Sequence, residues 1–215
     1  MIEQEKKVKP ARKLWQSLGI VFVLSFAALG WLGREIYLAA PPIPKTVATS
    51  DGRVLFNGTQ VEDGQRAWRS VGGQQLGTVW GHGSYVAPDW SADWLHREAV
   101  ALRDILAQKS YGRTFDALAP YERASVEAAV RDEMRRNGYD AASGTITVST
   151  ERARAIETVA QHYAGLFGDD PRLEHLRDQY AMGDNLLPRS QEPPGAHRVL
   201  LLVVVGRGDR PARRV

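Results

Sequence analysis

The chain has 215 residues, 28 Lys/Arg against 25 Asp/Glu, and no cysteine. That length fits one domain plus an accessory segment. The missing thiols exclude disulfides, thiolate-bound zinc, cysteine-held iron–sulfur clusters and covalent c-type haem, which needs a Cys-x-x-Cys-His run.

The charge is unevenly spread. Residues 1–44 carry six Lys/Arg against three Asp/Glu, residues 45–187 sixteen against twenty, and residues 188–215 six against two. The basic balance comes from the two ends. The middle is mildly acidic and offers no basic face to nucleic acid.

Residues 1–13 form a polar flank crowded with Lys6, Lys7, Lys9, Arg12 and Lys13. Leu14 to Leu32 then runs for nineteen residues without a charge, with Trp15 and Trp31 at its ends and Tyr37 just beyond. About 20 such residues cross a bilayer core, and aromatic rings favour its interfaces. A transmembrane helix over residues 14–38 is predicted. The basic cluster before it places the N-terminus in the cytoplasm and the rest of the chain outside. A cleaved signal peptide is the alternative. The apolar run is longer than the usual signal core, and only Leu38-Ala39-Ala40 offers a weak cleavage site, so an uncleaved anchor is expected. Pro41-Pro42-Ile43-Pro44 makes residues 39–45 a stiff spacer.

The main domain is expected over residues 46–187. Asn57-Gly58, after Val54-Leu55-Phe56, marks a small hairpin turn. Val61–Ser70 reads as a short helix with Glu62 and Asp63 in its first turn. Trp94–Gln108 has helical spacing, with Leu95, Ala99, Leu102, Ile105 and Leu106 on one face and Ser91 or Asp93 as cap. A second helix runs over Pro120–Arg136 with the stripe Val126, Ala129, Val130 and Met134, stopped by Asn137-Gly138. Thr145-Ile146-Thr147-Val148 is β-branched and predicts a short strand, pairing with Val54–Phe56. Ser149 or Thr150 caps a third helix over Glu151–Phe167, ended by Gly168, and Asp170-Pro171 opens a short fourth one through Tyr180.

The segment from Val71 to Glu98 holds three tryptophans and five glycines. Glycine lets backbones approach closely, and tryptophan supplies large apolar area with one N–H that needs a partner. Such a segment is built to hold one shape, and Trp80, Trp90 and Trp94 are expected to bury against protein.

Its motifs carry a resemblance. Gly72-Gly73-Gln74-Gln75, Trp80-Gly81-His82-Gly83 and Ala87-Pro88-Asp89-Trp90-Ser91-Ala92-Asp93-Trp94-Leu95-His96-Arg97-Glu98 together resemble the extracytoplasmic N-terminal region of quinol-dependent nitric oxide reductases. These are single-chain members of the haem–copper oxidase superfamily. The resemblance runs from about residue 14 to about Pro188. It implies a mainly α chain: one N-terminal transmembrane helix, then a small, mostly helical cytochrome c-like domain without haem, with a short β-hairpin or strand pair. It places the chain in the bacterial inner membrane with its main domain periplasmic.

In the resembling enzymes two nitric oxide molecules are reduced to nitrous oxide with quinol electrons, through haem b, haem b3 and a non-haem iron. Iron-ligating histidines on several membrane helices hold that site, and one predicted span cannot supply it. No catalytic, cofactor-binding or metal residue is therefore carried over, and the chain alone is expected to be inactive. His82, His96, His162 and His175 show no His-x-x-x-His or Glu-x-x-His pairing. Asp89, Asp93 and Glu98 read as partners of Arg97 or as helix caps. A supporting role remains. Gly72, Gly73, Gln74, Trp80, His82, Tyr85, Trp90, Trp94 and His96 form the predicted structural and interface loop. The implied partners are the membrane, the catalytic bundle of the same enzyme, and quinol in the parent. The competing interpretation is a stand-alone, membrane-anchored periplasmic binding or sensor module that uses this loop as a cleft.

Residues 188–215 change in texture. Val199–Val205 is seven apolar residues, far short of a span, and the end is rich in Arg, Gly and Pro. Codons for Val199 to Gly206 read one base over can spell Phe-Phe-Phe-Trp-Trp-Ser-Ser, the aromatic kind of run that the resembling family has there. Out-of-frame translation from near residue 189 is the expectation, a natural irregular tail the alternative. The gene's nucleotides decide between them.

Overall fold

The computed structural model describes residues 12–38, 43–70, 72–79, 81 and 87–186. Trp80, His82 and Tyr85, most of the Pro-rich spacer, most of the basic flank and the tail lie outside the described residues. The chain divides into two compact units, Met1–Ala40 and Pro41–Val215.

The first unit holds helix α1, Arg12–Leu38. Its 27 residues rise about 40 Å at 1.5 Å each. Among the described residues it is the one helix long and apolar enough to cross a membrane. None of its side chains is buried.

The second unit begins with strands β1 (Thr46–Thr49) and β2 (Val54–Asn57), paired antiparallel. The hairpin turn is Asp51-Gly52, with Gly52 at φ 89° and the Thr49 N–H on the Arg53 carbonyl at 2.9 Å. Asn57-Gly58, the expected turn, instead opens helix α2 (Gly58–Ser70). Asn57 Oδ1 accepts from the Gln60 N–H and Gln60 Oε1 accepts from the Asn57 N–H, each at 3.0 Å. This reciprocal cap satisfies N–H groups that a helix start leaves free, so Asn57 serves the helix rather than the hairpin.

After a single-turn helix α3 (Gly73–Leu76), helix α4 runs over Trp90–Tyr111 and α5 over Pro120–Arg135. Helix α4 starts four residues before the expected Trp94, because Asp89 caps it rather than Ser91 or Asp93. Of the expected α5 stripe, Val126 is buried and Ala129 is exposed. Val126 packs with Ala107, Phe115 and Leu118 in a small core between α4 and α5, over which Arg103 lies 4.3 Å from the Phe115 ring centre.

Strands β3 (Tyr139–Asp140) and β4 (Thr145–Val148) complete a four-stranded sheet of order β2-β1-β4-β3. Strand β4 lies parallel to β1, Thr46 opposite Thr145 through Thr49 opposite Val148. It does not pair with Val54–Phe56. The hairpin occupies one edge of β1, and the other stays free for a crossover strand. Helix α6 follows over Thr150–Phe167 with Ser149 as cap. Asp170 caps a 3-10 turn at Pro171–Leu173 that leads into helix α7, Glu174–Gln179. The main core gathers Val47 and Phe56, Ile146 and Val148, and the aromatic faces of α2, α4 and α6. The domain is thus mainly helical with one small sheet.

Candidate functional site

The glycines of the Gly–Trp segment set how closely the chain approaches two rings. Gly72 takes φ 67° and turns the chain from α2 into α3. At Gly73 a Cβ would lie 2.2 Å from Trp68 Cδ2, and at Gly77 one would lie 2.4 Å from Trp90 Nε1 and 2.7 Å from the Pro88 carbonyl oxygen. Any larger residue at either place would push the backbone off the indole beneath it.

Asp89 fixes the far end. Its side chain accepts from the Ser91 N–H at 2.8 Å and the Ala92 N–H at 3.2 Å, capping α4. It also accepts from the Gly81 N–H and, at 3.2 Å, from the Thr78 hydroxyl. The Trp90 N–H bonds the Thr78 carbonyl at 2.9 Å. Burial pushes the Asp89 carboxyl up, but the N–H donors of Ala92, Gly81 and Ser91 outweigh it and hold the group below its ordinary range.

Trp90, Trp94, Glu98 and Leu102 recur every fourth residue and form the buried face of α4. Trp90 is fully buried. Its ring lies 6.1 Å from Trp68, 5.7 Å from Phe167, 6.1 Å from Tyr163 and 5.7 Å from Tyr180. Among the described residues Trp90 Nε1 finds no hydrogen-bond partner. Trp94 stacks on Tyr163 at 5.3 Å with planes 9° apart.

Two polar networks hold α4 to α6. Deep inside, Arg152 Nε donates to Glu98 Oε1 at 2.7 Å, and Trp94 Nε1 donates to Glu98 Oε2 at 3.1 Å. Nearer the surface, Arg97 Nε donates to Asp93 Oδ2 at 2.7 Å, and the Tyr163 hydroxyl donates to the same oxygen. Burial, and then the negative charge of Asp93, raise the Tyr163 phenol far above its ordinary range. His162, beside this network, sits below its ordinary value, first from burial and then from the Arg97 charge.

The structure therefore places Gly72 and Gly73 at the turn below Trp68, and Trp90 and Trp94 inside the domain. His96 is exposed on the outer side of α4 and does not join them. The backbone of Gln74 lies in α3. Asp93, one of the three carboxylates expected beside Arg97 or as caps, does pair with it, whereas Glu98 pairs with Arg152, which lies 54 positions away. Trp68 and Arg152 escape a reading of the sequence, because their partners are distant in the chain. Among the described residues no cluster of three or more His, Asp or Glu side chains could hold a metal ion.

A family model, the cytochrome c-like domain of the nitric oxide reductase NorB, matches residues 44–195. The chain belongs to the NorB family of nitric oxide reductases. No curated protein matches it. The domain's name raises the question of a c-type haem, and the residues present do not fit one. The chain has no cysteine for thioether attachment. The space between α4 and α6 is filled by Trp90, Trp94, Tyr163 and Phe167, each 2% exposed or less.

Proposed function

We propose that this chain is the membrane-anchored front portion of a quinol-dependent nitric oxide reductase. In this reading residues 1–13 are cytoplasmic, residues 14–38 cross the bacterial inner membrane, and residues 39–45 space the domain from it. Residues 46–187 lie in the periplasm and support the catalytic bundle. The observation that carries the reading is a nitric oxide reductase domain with no cysteine and an interior packed with aromatic rings. Electrons have no c-type haem to enter through here. A lipid-soluble quinol, which reaches membrane haems directly, meets that condition. The basic cluster before the apolar run of Leu14–Leu32 supports the orientation.

Haem b, haem b3 and non-haem iron belong to the bundle of the parent, a member of the haem–copper oxidase superfamily acting in denitrification. The Gly–Trp loop as a whole supplies the contact with that bundle, while Trp90 and Trp94 lie inside the domain. The test is nitric oxide uptake by membranes carrying the parent enzyme, driven by a reduced quinol analogue or by reduced cytochrome c. Quinol should sustain uptake and cytochrome c should not. Uptake with cytochrome c alone would overturn the assignment of the donor.

A further inference from the structure

The aromatic rings of the core touch in series, and one member of the series is a phenol with its own proton acceptor. Trp68 lies 6.1 Å from Trp90, Trp90 lies 6.1 Å from Tyr163, and Tyr163 stacks on Trp94 at 5.3 Å. Tyr180, half-buried and 5.7 Å from Trp90, gives the series an end near the surface. Tyr163 is fully buried. Its hydroxyl donates to Asp93 Oδ2, the oxygen that Arg97 Nε also holds.

A buried phenol needs some partner, and a backbone carbonyl would satisfy it. A carboxylate does more, because it is also a base. Indole and phenol are the side chains from which one electron is most readily taken, and rings in near contact exchange electrons quickly. An oxidised phenol is a strong acid, so its oxidation is easiest where an acceptor already holds the proton. A phenol paired with a base is also a lower resting place for the missing electron than an indole.

We propose that Trp68, Trp90, Tyr180 and Tyr163 form a one-electron relay that ends at Tyr163, with Asp93 as the proton acceptor. The oxidant is of the nitrogen dioxide radical class. It takes one electron and leaves as nitrite. The electron comes from Tyr163 by way of Trp90, the Tyr163 O–H bond breaks, and the proton bonds to Asp93. A neutral phenoxyl radical and a neutral carboxylic acid remain. The oxidant named here rests on the nitric oxide assignment above; the relay itself does not.

The test is pulse radiolysis of the full chain in detergent, with azidyl radical taking one electron from indole. The indolyl absorption should decay as phenoxyl absorption grows, at a rate independent of protein concentration and slower in D2O. Tyr163→Phe should remove that growth phase. Asp93→Asn keeps an oxygen for the hydroxyl but is no longer a base, and should slow the phase on the order of a hundredfold. Equal rates in H2O and D2O would overturn the proposal, and so would phenoxyl growth that persists unchanged in Tyr163→Phe. The isotope comparison needs no variant, so a poorly folded Asp93→Asn chain leaves it intact. Failure of the relay would leave the quinol assay unaffected.

Discussion

Removing the Glu98 carboxylate tests the deepest contact in the domain. Glu98 is fully buried, and the side chain of Arg152 is 9% exposed. Among the described residues, Glu98→Leu leaves that guanidinium with the Glu133 carbonyl, 3.4 Å from Nη1. It also strips the acceptor from the Trp94 indole N–H. Taking one partner from a buried ion pair costs about 3–5 kcal/mol, and an orphaned buried donor about 1–3 kcal/mol. For a chain of this size the ion-pair part alone should lower Tm by roughly 6–20 °C. Pairing it with Arg152→Met removes both charges and should recover most of the loss, since apolar replacements of a buried pair are often neutral or stabilising. A double-mutant cycle by thermal unfolding, followed by circular dichroism on the full chain in detergent, measures all four corners. A Glu98→Leu cost under about 1 kcal/mol would refute the argument. A double variant as unstable as the two single losses added together would refute it too.

Trp90→Ala and Trp94→Ala each empty a fully buried site and should cost about 3–5 kcal/mol in denaturant unfolding; wild-type stability in either would contradict the packing described. Gly73→Ala places a methyl against the Trp68 ring and should cost about 1–3 kcal/mol, read as a lowered unfolding midpoint. Two acid windows should be separable. His162 is held below its ordinary 6.5, so the unfolded chain binds that proton first and stability falls as pH drops below about 6.5. Asp89 is held below its ordinary 3.8. Its contribution is complete above that value and is lost as pH falls through the lower folded value. His162→Gln should flatten the first decline and Asp89→Asn the second, in urea midpoints measured against pH; a stability gain on acidification in either window would contradict the sign.

What the sequence made legible was local. Pro120 at a helix start, Ser149 as one of two expected caps and Asp93 as one of three expected partners of Arg97 all act over a few residues, and the structure holds each of them. Asn57-Gly58 misled because one dipeptide serves two purposes. The same asparagine that favours a tight turn also caps a helix, and Gln60 three residues on decides for the cap. Asp51-Gly52, the pair that does turn the chain, carried an equal signal six residues earlier.

The interior was illegible for a different reason. The parallel pairing of β1 with β4 joins residues about a hundred positions apart, and nothing near Thr46 encodes that register. The same holds for Glu98 with Arg152 and for Asp93 with Tyr163, which lies 70 positions away. A buried glutamate beside Trp94 reads as an exposed charge until α6 arrives to meet it. These distant contacts are also the ones that give the Gly–Trp segment its shape. Gly73 and Gly77 approach rings that α6 and Tyr180 hold in place, so the segment is shaped only in a domain that has already closed. A local reading could therefore mark the segment as specific and still miss what makes it so. Cutting the chain before α6 should leave that segment without its shape and lower the unfolding midpoint.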